Sequence, residues 1–117
     1  MVRAVDIPKK FDSKLEGDFY FHLASELQSG RIVAMWYKPI RLRIGGKFEG
    51  KNMRESFYTP DFRVQTPDNE LILYDTKGWM REAAGVRMRA AATMHPYRLF
   101  AVRKNKAGSW EFQEVLP

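Results

Sequence analysis

Two aspartates and a lysine near the middle of the 117-residue chain have the types and spacing of a group that could bind a metal ion and act on water. Pro60-Asp61 is followed 14 residues later by Asp75-Thr76-Lys77. Residues two apart on a strand point to the same face, so Asp75 and Lys77 are expected side by side, with Asp61 on a neighbouring antiparallel strand. Converging carboxylates repel each other unless a cation lies between them. The spacing therefore predicts a hard divalent ion such as Mg²⁺, with the lysine placed to orient water or to offset charge on a phosphate.

A predicted helix before these residues carries a further carboxylate. Ser13 and Glu16 form an S-x-x-E capping box, and Ser29-Gly30 is a stop signal, so we predict a helix from Ser13 to Gln28. Its apolar residues define a buried stripe: Leu15, Phe19, Leu23 and Leu27. Glu16 lies on the margin of this stripe, and two interpretations stay open. Its carboxylate either completes the capping box or reaches over the sheet edge toward the aspartates.

The segments that carry the aspartates have the composition of strands. Three are predicted after the helix: Ile32–Tyr37 continuing beyond Lys38-Pro39 as Ile40–Ile44, then Glu55–Gln65, then Glu70–Lys77. Gly45–Asn52 is expected to be a turn or loop, and Pro39 indicates an edge position or a bulge. The turn residues Thr66–Asn69 predict an antiparallel hairpin that brings Asp61 beside Asp75.

The remaining pattern predicts one helix and two strands. The helix covers Trp79–Met94, and the strands cover Tyr97–Arg103 and Ser109–Val115. The order is αβββαββ, which predicts an α/β (α+β) domain with a mixed central sheet flanked by two helices, the second able to carry a crossover. The length fits a single domain over residues 1–117, in which residues 1–10 are expected to form a flexible N-terminal arm.

In this order of elements, Pro60-Asp61 and Asp75-x-Lys77 resemble the signature of the PD-(D/E)XK nuclease superfamily. The element order resembles that superfamily's restriction-endonuclease-like core, with Glu16 where many members carry a helical acidic residue. Further segments resemble small phage-type endonucleases related to Holliday junction resolvases: Phe11–Glu16, Tyr58–Phe62, Asp75–Gly78 and His95–Tyr97. The likeness extends from about Phe11 to Arg103.

The resemblance implies a role for each matching residue. Asp61 and Asp75 would bind the metal directly, with the main-chain carbonyl of Thr76 as a third ligand. Glu16 would contact the metal directly or through water, and Lys77 would position the attacking water. Mg²⁺ is the implied cofactor, and Mn²⁺ is expected to substitute for it. The implied reaction is hydrolysis of a DNA phosphodiester that leaves a 5′-phosphate and a 3′-hydroxyl.

The charge of the chain favours an anionic partner. Twenty Lys and Arg residues against 14 Asp and Glu give a formal net charge of +6 and a pI near 9.7. The span 38–54 has only Glu49 against six basic residues. We expect DNA phosphate contacts from that span and from the second helix, at Lys38, Arg41, Arg43, Lys47, Lys51, Arg54, Arg87 and Arg89.

Composition excludes several other classes of protein. The chain has no cysteine, which excludes a disulfide scaffold, a thiol nucleophile and a cysteine-ligated zinc finger. The longest apolar run, Ile32–Tyr37, is too short to cross a membrane, and the N-terminal residues lack the apolar stretch of a signal peptide. We expect a cytoplasmic protein (in the host cytoplasm if phage-encoded) with no membrane partner.

The hypothesis drawn from these observations is a Mg²⁺-dependent endodeoxyribonuclease that selects branched DNA by its shape. Because cutting both strands of a junction needs two active sites, we predict a symmetric homodimer. Two alternatives stay open: a non-catalytic DNA-binding module on the same fold, and a sequence- or mismatch-directed nuclease of the same superfamily. His22, His95 and the tryptophans are expected to have packing or capping roles, with Trp79 at the mouth of the proposed site.

Overall fold

The computed structural model of the chain describes residues 4–5, 10–48, 50–76 and 82–117. Within these residues the chain forms an α+β fold with two helices and eight strands. In chain order the elements are β1 (Ala4–Val5), α1 (Lys14–Ser29), β2 (Ala34–Tyr37), β3 (Leu42–Phe48), β4 (Lys51–Tyr58), β5 (Phe62–Gln65), β6 (Leu71–Asp75), α2 (Glu82–Met94), β7 (Arg98–Lys104) and β8 (Trp110–Glu114).

A six-stranded mixed sheet forms the centre of the fold, with the strand order β1-β2-β5-β6-β7-β8. β6 and β7 are parallel because α2 carries the chain back across one face of the sheet between them. Successive residues of β6 point to opposite faces: Ile72 packs in the core beneath α1, and Leu73 packs in the core beneath α2. The predicted layers, a mixed sheet with a helix on each face, are therefore confirmed.

The first helix has the predicted cap, but its buried stripe begins one residue later than expected. Ser13 is the N-cap and accepts a hydrogen bond from the Glu16 N–H, while Gly30 ends the helix in the left-handed conformation. Leu15 is half-buried, whereas Glu16 is completely buried in line with Phe19. A carboxylate thus occupies the first position of a stripe that sequence patterning assigned to apolar side chains.

The predicted first and second strands were each wrong in extent. Both are interrupted where the chain leaves the central sheet, at positions that face each other on the two strands. β2 ends at Tyr37 and β5 begins opposite it at Phe62. Beyond this point the chain continues as a separate two-stranded sheet, β3 and β4, which includes most of the predicted loop 45–52. Pro39 and Pro60 have no N–H to donate to a ladder, which explains why the pairing stops there.

The β3–β4 hairpin, residues 42–58, packs on the α2 side of the central sheet. Its inner face buries Leu42, Ile44 and Tyr58 in the same core as α2. Its outer face leaves Arg43 and Phe57 exposed. The hairpin therefore directs one tyrosine toward the sheet and presents a basic and aromatic surface to solvent.

Two further predictions change at the ends of elements. Ala4–Val5 lies in the predicted flexible arm but forms β1, paired in parallel with β2. The predicted order αβββαββ therefore omitted β1 and the β3–β4 hairpin, and the remaining elements occur in the predicted order. The second helix is observed over Glu82–Met94, and its predicted first residues, 79–81, lie outside the described residues. Neither helix in the described ranges is long and apolar enough to cross a membrane.

Candidate active site

Asp61 and Asp75 meet at one end of the central sheet, which we call the site end: β5 begins there and β6 finishes. The register pairs Phe62 with Tyr74, so the aspartates occupy the next positions on the two adjacent strands. Both are buried, Asp61 with 3% and Asp75 with 9% of its surface exposed. The turn at Thr66–Asn69 sets this register, as the sequence predicted. The structure therefore brings two buried carboxylates close together.

Thr76 fixes the orientation of the Asp61 carboxylate. The Thr76 N–H and the Thr76 hydroxyl both donate to Asp61 Oδ2, each at 2.9 Å. Thr76 is itself 2% exposed, so the contact is closed to bulk water. The sequence assigned only the Thr76 carbonyl to the site. The structure adds two donors from the same residue that hold Asp61 in place.

Tyr58 of the hairpin performs the same task for the second aspartate. Its hydroxyl donates to Asp75 Oδ2 at 2.6 Å, in a contact between two buried side chains. Burial, together with the negative charge of Asp75, raises the pKa of Tyr58 well above its usual value. Tyr58 therefore remains a neutral donor at all physiological pH values. Sequence analysis did not select Tyr58, because an aromatic residue on a strand is usually a core residue.

The buried carboxylates influence one another electrostatically. Burial and the charge of Asp75 raise the pKa of Asp61 from 3.8 to about 6. The Thr76 N–H opposes this rise, and the charge of Glu16 adds to it. Glu16, Asp61 and Asp75 thus form a negatively charged group whose ionised form is costly in the absence of a cation.

Glu16 reaches this group from the first turn of α1. It has no exposed surface, and its Oε1 accepts a hydrogen bond from the Tyr37 hydroxyl. The same hydroxyl accepts from the Asp12 N–H at 3.2 Å. Burial and the bond to Glu16 raise the pKa of Tyr37 to about 12. The Glu16 main-chain N–H donates to the helix cap at Ser13, and its carboxylate faces Tyr37 and the aspartates of the sheet.

Lys38 lies within the site, although sequence analysis assigned it to a DNA-contacting surface. Its N–H donates to the Asp61 carbonyl at 2.7 Å, and its Nζ contacts Asp12 and lies 3.8 Å from Glu16 Oε1. Burial lowers the pKa of Lys38, but Asp12, Glu16 and Asp61 outweigh burial and raise it. Lys38 also has a φ of 46°, which is uncommon for a residue other than glycine. Such backbone conformations are frequent at functional sites.

The other predicted site residues are only partly described. Lys77 and Trp79 lie outside the described residues. Of the predicted DNA contacts, Arg41, Arg43 and Arg87 are exposed and Arg89 is half-buried, while the side chains of three others lie outside the described part of the structure: Lys47, Lys51 and Arg54. The Arg41 guanidinium lies 4.0 Å from the centre of the Phe57 ring.

The chemistry of the two aspartates fits Mg²⁺. Within residues 4–5, 10–48, 50–76 and 82–117, no three His, Asp or Glu side chains are arranged as a complete metal site. Mg²⁺ does not require one, since it commonly binds one or two carboxylates and keeps its other positions for water and substrate phosphate. Asp61 and Asp75 supply two such carboxylates, and a bound cation would offset the repulsion by Asp75 that, together with burial, raises the pKa of Asp61. The donor set is therefore compatible with the predicted cofactor.

Both histidines have structural roles, as expected. The His22 ring stacks on Phe19 with 5.5 Å between ring centres and lies 3.7 Å from Glu26. His95 Nε2 lies 2.8 Å from the Arg43 carbonyl and links the end of α2 to β3. Neither contact is made to a residue of the carboxylate group.

Comparison with known proteins yields one match. A family model described as a protein of unknown function, DUF1064, matches residues 3–108. No curated protein and no solved structure matches the chain. The match spans every side chain of the site described above.

Proposed function

The chain belongs to the DUF1064 family, and we propose that it is a Mg²⁺-dependent endodeoxyribonuclease of the PD-(D/E)XK type. The observation that carries the proposal is the pair of buried aspartates on adjacent strands, with a third carboxylate, Glu16, reaching them from a helix. Burying like charges together destabilises a fold unless a cation is bound there. A divalent ion that also binds phosphate accounts for this cost.

The topology of the central sheet supports the proposed PD-(D/E)XK type. With β1 and the β3–β4 hairpin left aside, the elements run α1, β2, β5, β6, α2, β7, β8. This order resembles the αβββαβ order of the restriction-endonuclease-like core with one strand added. Asp61 immediately precedes the second of these strands and Asp75 ends the third, which is consistent with the proposed motif.

Each residue of the site has a defined task in phosphodiester hydrolysis. Bound Mg²⁺ would polarise the scissile phosphate and lower the pKa of a water molecule. Asp61 and Asp75 would hold the ion, together with the Thr76 carbonyl. Thr76 and Tyr58 keep the two carboxylates oriented. Lys77 would orient the attacking water.

The substrate we propose is branched DNA, bound by a homodimer. The exposed outer face of the hairpin offers Arg43 to phosphates, as does Arg41 just before the hairpin. The Phe57 ring beside Arg41 offers an apolar contact for a base or sugar. The described residues of one chain contain one such group of buried carboxylates, so paired cuts across a junction would need two copies related by symmetry.

The test is cleavage of a labelled four-way junction and of a linear duplex of the same sequence. We expect cleavage in Mg²⁺ or Mn²⁺, none in EDTA, and preference for the junction. Asp75→Asn, which keeps the acceptor for Tyr58, and Lys77→Ala should abolish cleavage. Asp68→Asn, the same change at an exposed turn aspartate, should leave it intact.

Each outcome of this assay has a clear meaning. Metal-dependent cleavage that survives both substitutions contradicts the assignment of the site. Tight binding of junction or duplex without cleavage in any divalent metal contradicts catalysis and favours a DNA-binding module. Equal cleavage of junction and duplex, confined to one sequence or to mismatches, replaces branch selectivity with another specificity.

A further inference from the structure

The turn between β7 and β8 carries a second group of basic residues, outside the set selected from the sequence. Arg103, Lys104 and Lys106 are exposed there. They line a cavity of about 280 Å³ together with Asn105 and Glu111. The turn has a defined shape, because Asn105 Oδ1 accepts hydrogen bonds from the N–H groups of two following residues, Ala107 at 3.0 Å and Ser109 at 2.9 Å.

This β7–β8 turn, residues 103–109, lies at the site end of the sheet. β6 and β7 are parallel, and Asp75 is paired with Ala101. Arg103 follows two residues later, a rise of about 7 Å beyond that pair. Lys104 Nζ lies 3.7 Å from Asp18 Oδ2 in the first turns of α1. The turn therefore flanks the carboxylate group.

The turn is separated in the sheet from the strands that lead into the hairpin. In the sheet order, β2 and β5 lead into the β3–β4 hairpin on one side of β6, and β7 and β8 are joined by the turn on the other. The hairpin itself packs over the α2 face of the sheet, against residues of β6 and β7. A negatively charged strand that crosses the site end would meet the cations of the turn beside the carboxylates.

We propose that the β7–β8 turn binds the DNA backbone beside the scissile phosphate. The inference rests on the proposed nuclease function and adds the path of its substrate. The partner chemistry is phosphate, because lysine and arginine donors surround an open cavity on a strongly basic chain. Arg103 also pairs with Glu111, but both are substantially exposed, so the pair is weak enough to rearrange around a phosphate.

The experiment measures DNA affinity against salt concentration in the Asp75→Asn background, which separates binding from cutting. The test variant adds Lys104→Ala and Lys106→Ala. The matched control adds Arg31→Ala and Arg98→Ala, which remove the same charge at the opposite end of the sheet. Thermal unfolding of each variant, with Lys106→Ala alone as the least perturbing change, checks that the fold is kept.

Loss of two phosphate contacts should make the slope of log affinity against log salt concentration shallower by about 1.8 in the turn variant. Between 50 and 200 mM salt, the factor by which affinity falls should therefore be roughly ten times smaller for this variant than for the parent. The control variant should keep the parent slope. Equal slopes for the turn variant and the parent overturn this inference alone. A parent that binds no DNA at low salt overturns the nuclease proposal with it.

Discussion

The charged residues at the two ends of the central sheet are arranged in opposite ways. At the site end, Asp61 and Asp75 are buried beside each other, with Glu16 close enough to act on them. At the far end, where β6 and β7 begin, Arg98 is exposed and pairs with Glu114 at 2.9 Å and with Glu70 at 3.4 Å. One end collects like charges away from water, and the other balances opposite charges in water.

Under the proposed function, the far end carries ordinary surface charge and the site end carries charge that serves chemistry. Exposed ion pairs contribute little to the free energy of unfolding, so the far end resembles an ordinary solvent-exposed surface. Buried carboxylates of one sign destabilise the folded chain, and Tyr58 and Thr76 orient them without supplying a positive charge. The Lys38 ammonium, 3.8 Å from Glu16, offsets part of the negative charge. In the proposed function, a bound cation and the substrate phosphate use this arrangement.

The largest effect we expect is on cleavage at the site end. Asp61→Asn keeps an acceptor for Thr76 but removes a charge, and it should slow DNA cleavage by at least about 10³-fold, or about 4 kcal/mol of barrier. Arg98→Gln, which removes a charge at the far end, should leave the rate within about twofold of the parent, since surface changes remote from a site have small effects. Initial rates on the junction in saturating Mg²⁺ measure both. Equal losses in the two variants would mean that the ends do not differ in function.

The next effect concerns stability and pH without added metal. Because the folded state raises the pKa of Asp61 from 3.8 to about 6, it holds the proton more tightly than the unfolded state. The free energy of unfolding should therefore fall as pH rises between these values, by about 3 kcal/mol from this group. Denaturant unfolding in EDTA from pH 4 to pH 7.5 measures the change.

The control for this pH effect is the Asp61→Asn variant, which should lack the decline and be more stable than the parent at pH 7.5. The exposed Glu111 and Glu114 have lowered pKa values, so their contributions are lost only as pH falls below the usual range of a glutamate. They remain in both proteins and cancel in the comparison. If the free energy of unfolding depended on pH in the same way in the parent and the variant, burial would not raise the pKa of Asp61 in the folded state.

A third effect concerns the donor on the hairpin. Tyr58→Phe removes a buried hydroxyl that donates to Asp75 and should lower the free energy of unfolding by about 2 kcal/mol. Tyr74→Phe makes the same change on β6, where the ring packs against Phe19 beneath α1, and should cost less than about 1 kcal/mol. Denaturant unfolding of both variants decides between them. Equal losses would mean that the bond to Asp75 contributes no more than an ordinary hydroxyl.

The pairing of the aspartates could be predicted from local sequence, because the turn chemistry of Thr66–Asn69 sets the register of β5 and β6 by itself. The interruption of the two strands at Lys38 and Asp61 could not be predicted. A proline within a strand indicates an edge or a bulge, but only the tertiary fold shows that both strands leave the central sheet at facing positions. That break moves Lys38 from a supposed DNA-binding surface into the carboxylate group.

The partners of the carboxylates were missed for a related reason. Tyr37 and Tyr58 have the pattern of core aromatics, and no local signal states that their hydroxyls end at Glu16 and Asp75. Glu16 was placed on the margin of the stripe because a charged residue is normally excluded from a buried face. Its helical phase, three residues before Phe19, fits the stripe as well as that of Leu15 does, and this was the one available signal.

The smallest effect we expect separates the two ends by their response to salt. Arg98→Gln should lower the melting temperature by only a few degrees in dilute buffer, because its ion pairs are exposed. The loss should shrink further in concentrated salt, which screens surface charges. The loss from Tyr58→Phe should persist, since salt does not screen a hydrogen bond between two buried side chains. Thermal unfolding of both variants at low and high salt measures the contrast. A salt-resistant loss in Arg98→Gln would show that the far end also relies on its charges, and stability and chemistry would then not be divided between the two ends.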